Sequence, residues 1–145
     1  MALYDHRQET HQILAERYAE LQLQKVPDIL TGEEREQRRR ALVAKFLSKP
    51  GVLCVSAIQE GDAQRRREDF AAVCCAIQNV QLAAWADGIG MQWTTSPVTT
   101  DHSTYELLGI DPARETIVGF LYYGYPAEVP TPKRRPIEDV VRRAP

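Results

Sequence analysis

The 145-residue sequence has no apolar run long enough to cross a bilayer, and its start lacks the basic-then-apolar pattern of a secretory signal. A strong charge of one sign is also missing, because the formal net charge is only −2. A nearly neutral chain has no general attraction to nucleic acid or to anionic membranes. We therefore expect neither as a partner, and the composition indicates one globular domain over residues 1–145.

Cysteine is scarce: the three cysteines, Cys54, Cys74 and Cys75, are an odd and poorly spaced set for a disulfide framework. Each lies in an apolar stretch, which favours small buried side chains in a reducing, cytoplasmic compartment. A redox thiol or a metal ligand is the less favoured alternative. Because no histidine stands at ligand spacing from a cysteine, we predict no metal site.

Glycine-rich nucleotide-binding fingerprints are absent as well. Gly88 and Gly90 form only a fragment of one, and they lead into a predicted strand where such a motif would open a helix. The sequence also shows no nucleophile or acid–base pair in a recognisable arrangement, so we predict no catalytic side chain.

Apolar periodicity and turn signals predict four helices and three strands. The predicted helices are 2–23, 32–47, 67–87 and a short one that is capped by Thr100 or Asp101 and ends at Gly109. The predicted strands are 52–58, 89–94 and 116–123, and residues 59–67 are predicted to form a polar loop. Residues 126–145 form an extended, proline-rich C-terminal tail. This order predicts an α+β fold in which helices pack on a small sheet.

Two of these helices carry distinctive side chains. The run Arg38–Arg40 resembles a nucleic-acid patch, but glutamates at helical spacing before it favour a solvated, salt-paired face. Helix 67–87 has alanines between its larger apolar residues, which predicts close packing on several sides.

The histidines and tyrosines give weaker signals. We predict that the histidines are solvated, since none has a partner pattern: they are His6, His11 and His102. The tyrosines near the last strand either line a substrate site or close the core: they are Tyr122, Tyr123 and Tyr125.

Several stretches, in this order and spacing, resemble the nitroreductase family, particularly its compact bacterial members. NVQLAAWADGIG at 79–90 resembles the end of the family's central dimer helix and the turn after it. MQWTT at 91–95 stands at the position of the family's flavin-facing strand end. LLGI at 107–110, IVGFLYYGYP at 117–126 and PKRRPIEDVV at 132–141 resemble the family's closing segments.

The resemblance implies an α+β nitroreductase-like subunit that forms a homodimer with FMN at the interface. NAD(P)H would reduce the flavin, which would then reduce nitro compounds, quinones or enones by a ping-pong route. The electron acceptor would be a small molecule. The flavin would supply the chemistry, and the protein would orient its ring and tune its electronics.

The resemblance also implies cofactor-binding residues. Trp93, Thr94 and Thr95 match the segment beside the flavin ring, where a backbone N–H or a hydroxyl would donate to N5. Relatives often carry arginine where this chain has Thr94. Lys133 and Arg135 match a basic pair that reaches the FMN phosphate. Gly88 closes the region 83–88, which is implied to meet the nicotinamide. The alternatives are an ordinary strand end with a core tryptophan and a solubilising tail.

The family's arginine- and serine-containing N-terminal segment has no counterpart in this sequence, which matches relatives from a point just after their first strand. We therefore expect an N-terminally truncated domain whose strand 52–58 lacks a neighbour. A fragment or a mis-started gene is favoured over a degenerate homologue. Two other functions stay open: a dimerisation module without flavin, and a relative that dismantles cofactors or dehalogenates substrates. The latter needs lid insertions that residues 90–109 do not provide.

Overall fold

The computed structural model describes residues 2–5, 8–26 and 30–142 of the chain. Its strands are β1 (Ala2–Asp5), β2 (Gly51–Ile58), β3 (Gly90–Thr94) and β4 (Glu115–Gly124). Its helices are α1 (Gln8–Leu23), α2 (Gly32–Leu47), α3 (Ala63–Ala86) and α4 (His102–Leu108), with 3₁₀ turns at Pro97–Thr99 and Ile137–Asp139. The predicted α+β class is confirmed, and the predicted bounds of α2 are those observed.

Local chemistry fixes several of these boundaries. Thr31 and Glu34 form the predicted capping box at the start of α2, in which each side chain bonds the other residue's backbone N–H. Gly88 and Gly109 end α3 and α4 with φ angles of 76° and 67°, which a side chain would disfavour. Sequence signals within one turn were sufficient to predict these three ends.

The four strands form one antiparallel sheet in the order β1-β2-β4-β3. The pairing of β2 with β4 contains one irregularity: Val55 faces Gly119, whereas Ser56 faces Ile117. Val118 is therefore an extra residue, a β-bulge in β4. The backbone N–H of Ile117, beside the bulge, donates to the Tyr105 hydroxyl of α4 at 2.9 Å.

Side chains alternate along the strands and give the sheet two differently covered faces. The helix-rich face carries Cys54, Phe120 and Tyr122 and packs against α1, α2 and α4. The α3 face carries Val55 and Leu121 and packs against α3 alone. Both faces of β2 are covered, as its nearly continuous apolar sequence predicted.

The prediction of a helix from residue 2 is wrong at its start, and so is the expectation of an unpaired strand 52–58. Residues Ala2–Asp5 form β1, which pairs with β2 from Ala2 opposite Ser56 to Asp5 opposite Leu53. The pairing joins segments about fifty residues apart, so local periodicity cannot detect it, yet it satisfies the backbone groups of β2.

The predicted loop 59–67 is also wrong in its second half, because α3 begins at Ala63. Asp62 caps the helix by accepting a hydrogen bond from the backbone N–H of Arg65 at 2.8 Å. Apolar periodicity did not detect the start of α3, because the first turn is polar and its arginines do not contribute to the apolar stripe.

Close packing of α3 on several sides is contradicted within the chain. Of this helix, only Val73 and Ile77 are buried, and they lie against the sheet. Cys75 is exposed on the outward side, contrary to the prediction of three buried cysteines, whereas Cys54 is buried and Cys74 is half-buried. The outward side of α3 carries small residues together with Leu82 and Trp85, and no described residue covers it.

The two described histidines, His11 and His102, differ in their exposure to solvent. His102 is exposed beside Glu106, as predicted, at 3.2 Å. His11 is a correction: its Nε2 is buried and has no hydrogen-bond partner among the described residues, and its ring centroid lies 5.4 Å from that of Phe46. Burial lowers the pKa of His11. His6 lies outside the described residues.

Candidate functional site

A pocket of about 320 Å³ opens on the helix-rich face, beside the end of β3. The C-terminal ends of α1 and α2 form one side, and the end of β3 with the segment after it forms another. The polar side chains in its lining are mainly lysines and threonines, with Gln22, Gln92 and Ser96: they include Lys25, Lys45, Lys49, Thr94 and Thr95. We call this cavity the lysine pocket.

The charge in the lysine pocket is of one sign, because its lining contains three lysines and no aspartate or glutamate. The Nζ of Lys49 donates to the carbonyl of Lys45 and lies 5.3 Å from the centroid of the Tyr122 ring. Burial, together with the charge of Lys45, lowers the pKa of Lys49. The pocket therefore suits an anion or the electron-rich edge of a ring.

Aromatic rings form the inner wall of the pocket. The rings of Phe46 and Tyr122 meet edge to face, with centroids 5.6 Å apart, and Tyr18 lies 5.4 Å from Phe46. Burial raises the pKa of Tyr122 to about 12, and Tyr18 adds to the effect. The Tyr122 phenol thus stays protonated and can donate a hydrogen bond. Tyr122 packs against the core and also lines the lysine pocket, while a role towards substrate stays a prediction.

The predicted flavin segment is divided between the two faces of the sheet. Thr94 and Thr95 line the lysine pocket. Trp93 points to the α3 face, where its indole Nε1 donates to the carbonyl of Val118 at 3.4 Å and lies over Gly119. The structure therefore brings the two threonines together with the lysines, while the Trp93 side chain lies on the other face.

The remaining predicted residues lie elsewhere in the single chain. Gly88 precedes β3, so it is separated from Thr94 by the length of that strand, at least about 13 Å at 3.3 Å per residue. Lys133 and Arg135 are exposed, as is every described residue of the tail from Tyr125 onwards. Within a single chain, Lys133 and Arg135 do not line the lysine pocket.

Known proteins that resemble this chain identify its family. The profile of the Nitroreductase family matches residues 2–125. The chain belongs to the nitroreductase family. A Bacillus subtilis relative named "Putative NAD(P)H nitroreductase YfhC" is 37% identical over 91 residues, which are 62% of this chain and 46% of the relative. The chain therefore spans about half the length of this curated family member.

Two solved structures of the family have the same fold. A nitroreductase-like protein from Bacillus cereus superposes with a TM-score of 0.74 at 29% identity, over 99% of this chain and 71% of that one. A Desulfovibrio desulfuricans structure, described as a "putative nitroreductase" in complex with FMN, gives a TM-score of 0.69 at 19% identity. It covers 99% of this chain and 72% of that one.

The described residues contain neither a helix suited to cross a membrane nor a cluster suited to bind a metal. No helix among residues 8–26 and 30–142 combines the length and apolarity that a membrane crossing requires. Within the same residues, no cluster of three or more His, Cys, Asp or Glu side chains could hold a metal ion.

Sequence reasoning missed the three lysines of the pocket. Lys45 lies in the last turn of α2, and Lys25 and Lys49 follow helices by two residues each. Cations are favoured at helix C-termini, so each lysine has a sufficient local explanation. Only the approach of two helix ends to the end of β3 reveals that the three charges share one cavity.

Proposed function

We propose that this chain functions as an FMN-dependent NAD(P)H oxidoreductase of the nitroreductase type. It acts as a cytoplasmic homodimer and reduces small-molecule acceptors, namely nitro compounds, quinones or enones, by a ping-pong route. Support comes from family membership, from the name of the Bacillus subtilis relative and from the FMN bound to the Desulfovibrio structure. The observation that carries the proposal is the lysine pocket at Thr94 and Thr95.

The residues present fit one edge of a flavin ring. When bound, FMN supplies the hydride chemistry. Lys45 and Lys49 would stabilise negative charge on the ring, and no carboxylate of the lining opposes them. Thr94 and Thr95 would provide hydroxyl and backbone hydrogen-bond donors to the ring. The lysines would also supply a positive charge, in place of the arginine that the family resemblance implies at the position of Thr94.

The homodimer rests on the exposed side of α3. Leu82 and Trp85 are 59% and 50% exposed there, and Cys75 lies on the same outward side. The tail adds further exposed apolar side chains, among them Ile137 and Val141. Such surface is unfavourable in water and marks an interface.

A second copy of the chain covers this surface in our proposal. The two α3 helices pack against each other, and each tail crosses to the other copy. The crossing brings Lys133 and Arg135 to the FMN phosphate at the interface, where both make charge-assisted hydrogen bonds. Gly88 borders the nicotinamide approach.

The direct test is the visible absorbance of the purified protein after saturation with FMN and desalting. We expect flavin bands near one FMN per chain. The double variant Lys45→Met with Lys49→Met should lose most of the flavin. Arg38→Met, which removes an exposed cation from the same helix, should retain it.

The tail is tested in the same way. Lys133→Ala with Arg135→Ala should weaken FMN binding, whereas Arg134→Ala between them should not. Equal retention by all variants would contradict the assigned residues, and a colourless wild-type protein would contradict the flavin function itself.

The exposed side of α3 also supports a second function, a dimerisation module without flavin. Sedimentation equilibrium separates the two. A wild-type dimer that binds no FMN favours the module, and a dimer that binds FMN favours the oxidoreductase. Leu82→Glu should give a monomer, and Gln37→Glu on the exposed side of α2 should leave the dimer intact. A wild-type monomer would contradict both.

A further inference from the structure

A bidentate ion pair joins Arg17 of α1 to Asp101, the residue before α4. Arg17 donates from Nε to one carboxylate oxygen of Asp101 at 2.9 Å and from a terminal nitrogen to the other at 2.7 Å. The two residues are 84 positions apart in the sequence. The side chain of Asp101 is only 12% exposed, and that of Arg17 is 31% exposed. A two-point contact of this kind fixes both distance and orientation.

Asp101 holds α4 at the same time. Its carboxylate accepts hydrogen bonds from the hydroxyls of Ser103 and Thr104, and its backbone carbonyl accepts one from the N–H of Thr104 at 3.0 Å. The Arg17 guanidinium keeps the pKa of the Asp101 carboxyl well below its usual range, and the Ser103 hydroxyl adds to the effect. The pair therefore stays ionised at neutral pH.

Residues 95–100 lie between two fixed points. At one end, Thr94 pairs with Phe120 in the sheet. At the other end, Asp101 is held by Arg17. The first three residues of the segment line the lysine pocket, and so do Tyr18 and Gln22, which lie on the same helix as Arg17.

We propose that Arg17 is a positioning residue of the lysine pocket. Through its ion pair with Asp101, Arg17 sets the distance between α1 and the segment 95–100. This distance in turn sets the position of Thr95 relative to the three lysines. The consequence for a bound flavin rests on the proposed function, whereas the positioning itself does not. A purely structural ion pair would stabilise the whole fold without changing this segment in particular.

Hydrogen exchange of backbone amides tests the positioning. The amides of Thr99 and Thr100 donate to Ser96 and Pro97 at 2.9 Å and 3.1 Å, so they report directly on the segment. In Arg17→Met we expect about tenfold faster exchange at these amides, with unchanged exchange in β2. Arg17→Lys, which keeps the charge but loses the fork, should fall between the variant and the wild type.

The matched control is Arg39→Met. Arg39 of α2 also links two helices, through its ion pair with Glu16 of α1, but it lies outside the lysine pocket. Its exchange at Thr99 and Thr100 should equal that of the wild type. Unchanged exchange in Arg17→Met, or an equal increase at every amide, would overturn the proposal.

FMN supplies the second readout. In Arg17→Met we expect about tenfold weaker FMN binding and a shifted absorption band of the bound flavin, with partial recovery in Arg17→Lys. If the wild type binds no FMN, the proposed function fails, and hydrogen exchange still decides the role of Arg17. If the wild type and Arg17→Met bind FMN equally with the same spectrum, Arg17 does not position the pocket.

Discussion

The two faces of the sheet differ in how completely helices cover them. On the helix-rich face, Leu14 and Phe120 are almost fully buried, and three helices close the core around them. On the α3 face, one helix buries two side chains and leaves Leu82 and Trp85 in solvent. The first face is a complete core that also shapes a pocket, whereas the second leaves large apolar side chains exposed on the outward side of α3. If the homodimer that we propose forms, folding depends mainly on one side of the sheet and association on the other.

The largest expected effect distinguishes the two faces by whether a substitution changes the free energy of unfolding at every protein concentration. Phe120→Ala should lower the free energy of unfolding by about 3–5 kcal/mol at every protein concentration, because it leaves a cavity in the closed core. Leu82→Ala should act through assembly, so that its effect disappears on dilution. Urea denaturation over a range of concentrations measures both. An effect of Leu82→Ala that persists in the monomer would break the distinction.

Gly119→Ala tests the point where the α3 face accepts Trp93. A Cβ at this position would lie 2.2 Å from the indole Nε1 and 2.9 Å from the backbone oxygen of Thr94. We expect a loss of about 1–3 kcal/mol in unfolding free energy and a shift in tryptophan fluorescence. Gly32→Ala is the control, since a Cβ there meets nothing within 4 Å. Equal stability of the two variants would mean that Trp93 does not depend on Gly119.

Tyr105→Phe removes the hydroxyl that accepts a hydrogen bond from the backbone beside the β-bulge. The backbone N–H of Ile117 would be left buried without its acceptor, at about 1–3 kcal/mol. Thermal unfolding measures this loss. Tyr125→Phe, on a side chain that is 80% exposed, should change nothing. A stable Tyr105→Phe protein would show that the bulge satisfies its own backbone.

The smallest expected effect is the dependence of stability on pH through Asp101. Its pKa is lowered in the folded state, so the pair with Arg17 contributes stability above the unfolded pKa of about 3.9 and loses it as the pH falls further. We expect about 1 kcal/mol, because Arg17 is partly exposed. Urea denaturation between about pH 2.5 and 6 should show a shallower slope in Asp101→Asn and in Arg17→Met. An unchanged slope in both would contradict the assignment.

The site was predictable only in part. Thr94 and Thr95 were found through the family resemblance, and the structure places them in the pocket. Lys45 and Lys49 were not found, since helix C-termini commonly carry cations for local reasons. His11 was assigned to solvent because its own helix gave no partner, whereas the contact that buries it comes from Phe46 of α2. The cofactor roles of all six residues stay predictions: Trp93, Thr94, Thr95, Lys133, Arg135 and Gly88.

The sequence by itself determined the local elements. The capping box at Thr31, the glycines after α3 and α4, and the apolar runs of β2 and β4 act within a few residues, where backbone geometry and side-chain chemistry suffice. The tertiary structure alone decided the β1–β2 pairing, the fork between Arg17 and Asp101 and the gathering of the lysines. Each of these joins residues that are distant in the chain, and such contacts depend on how the elements pack together.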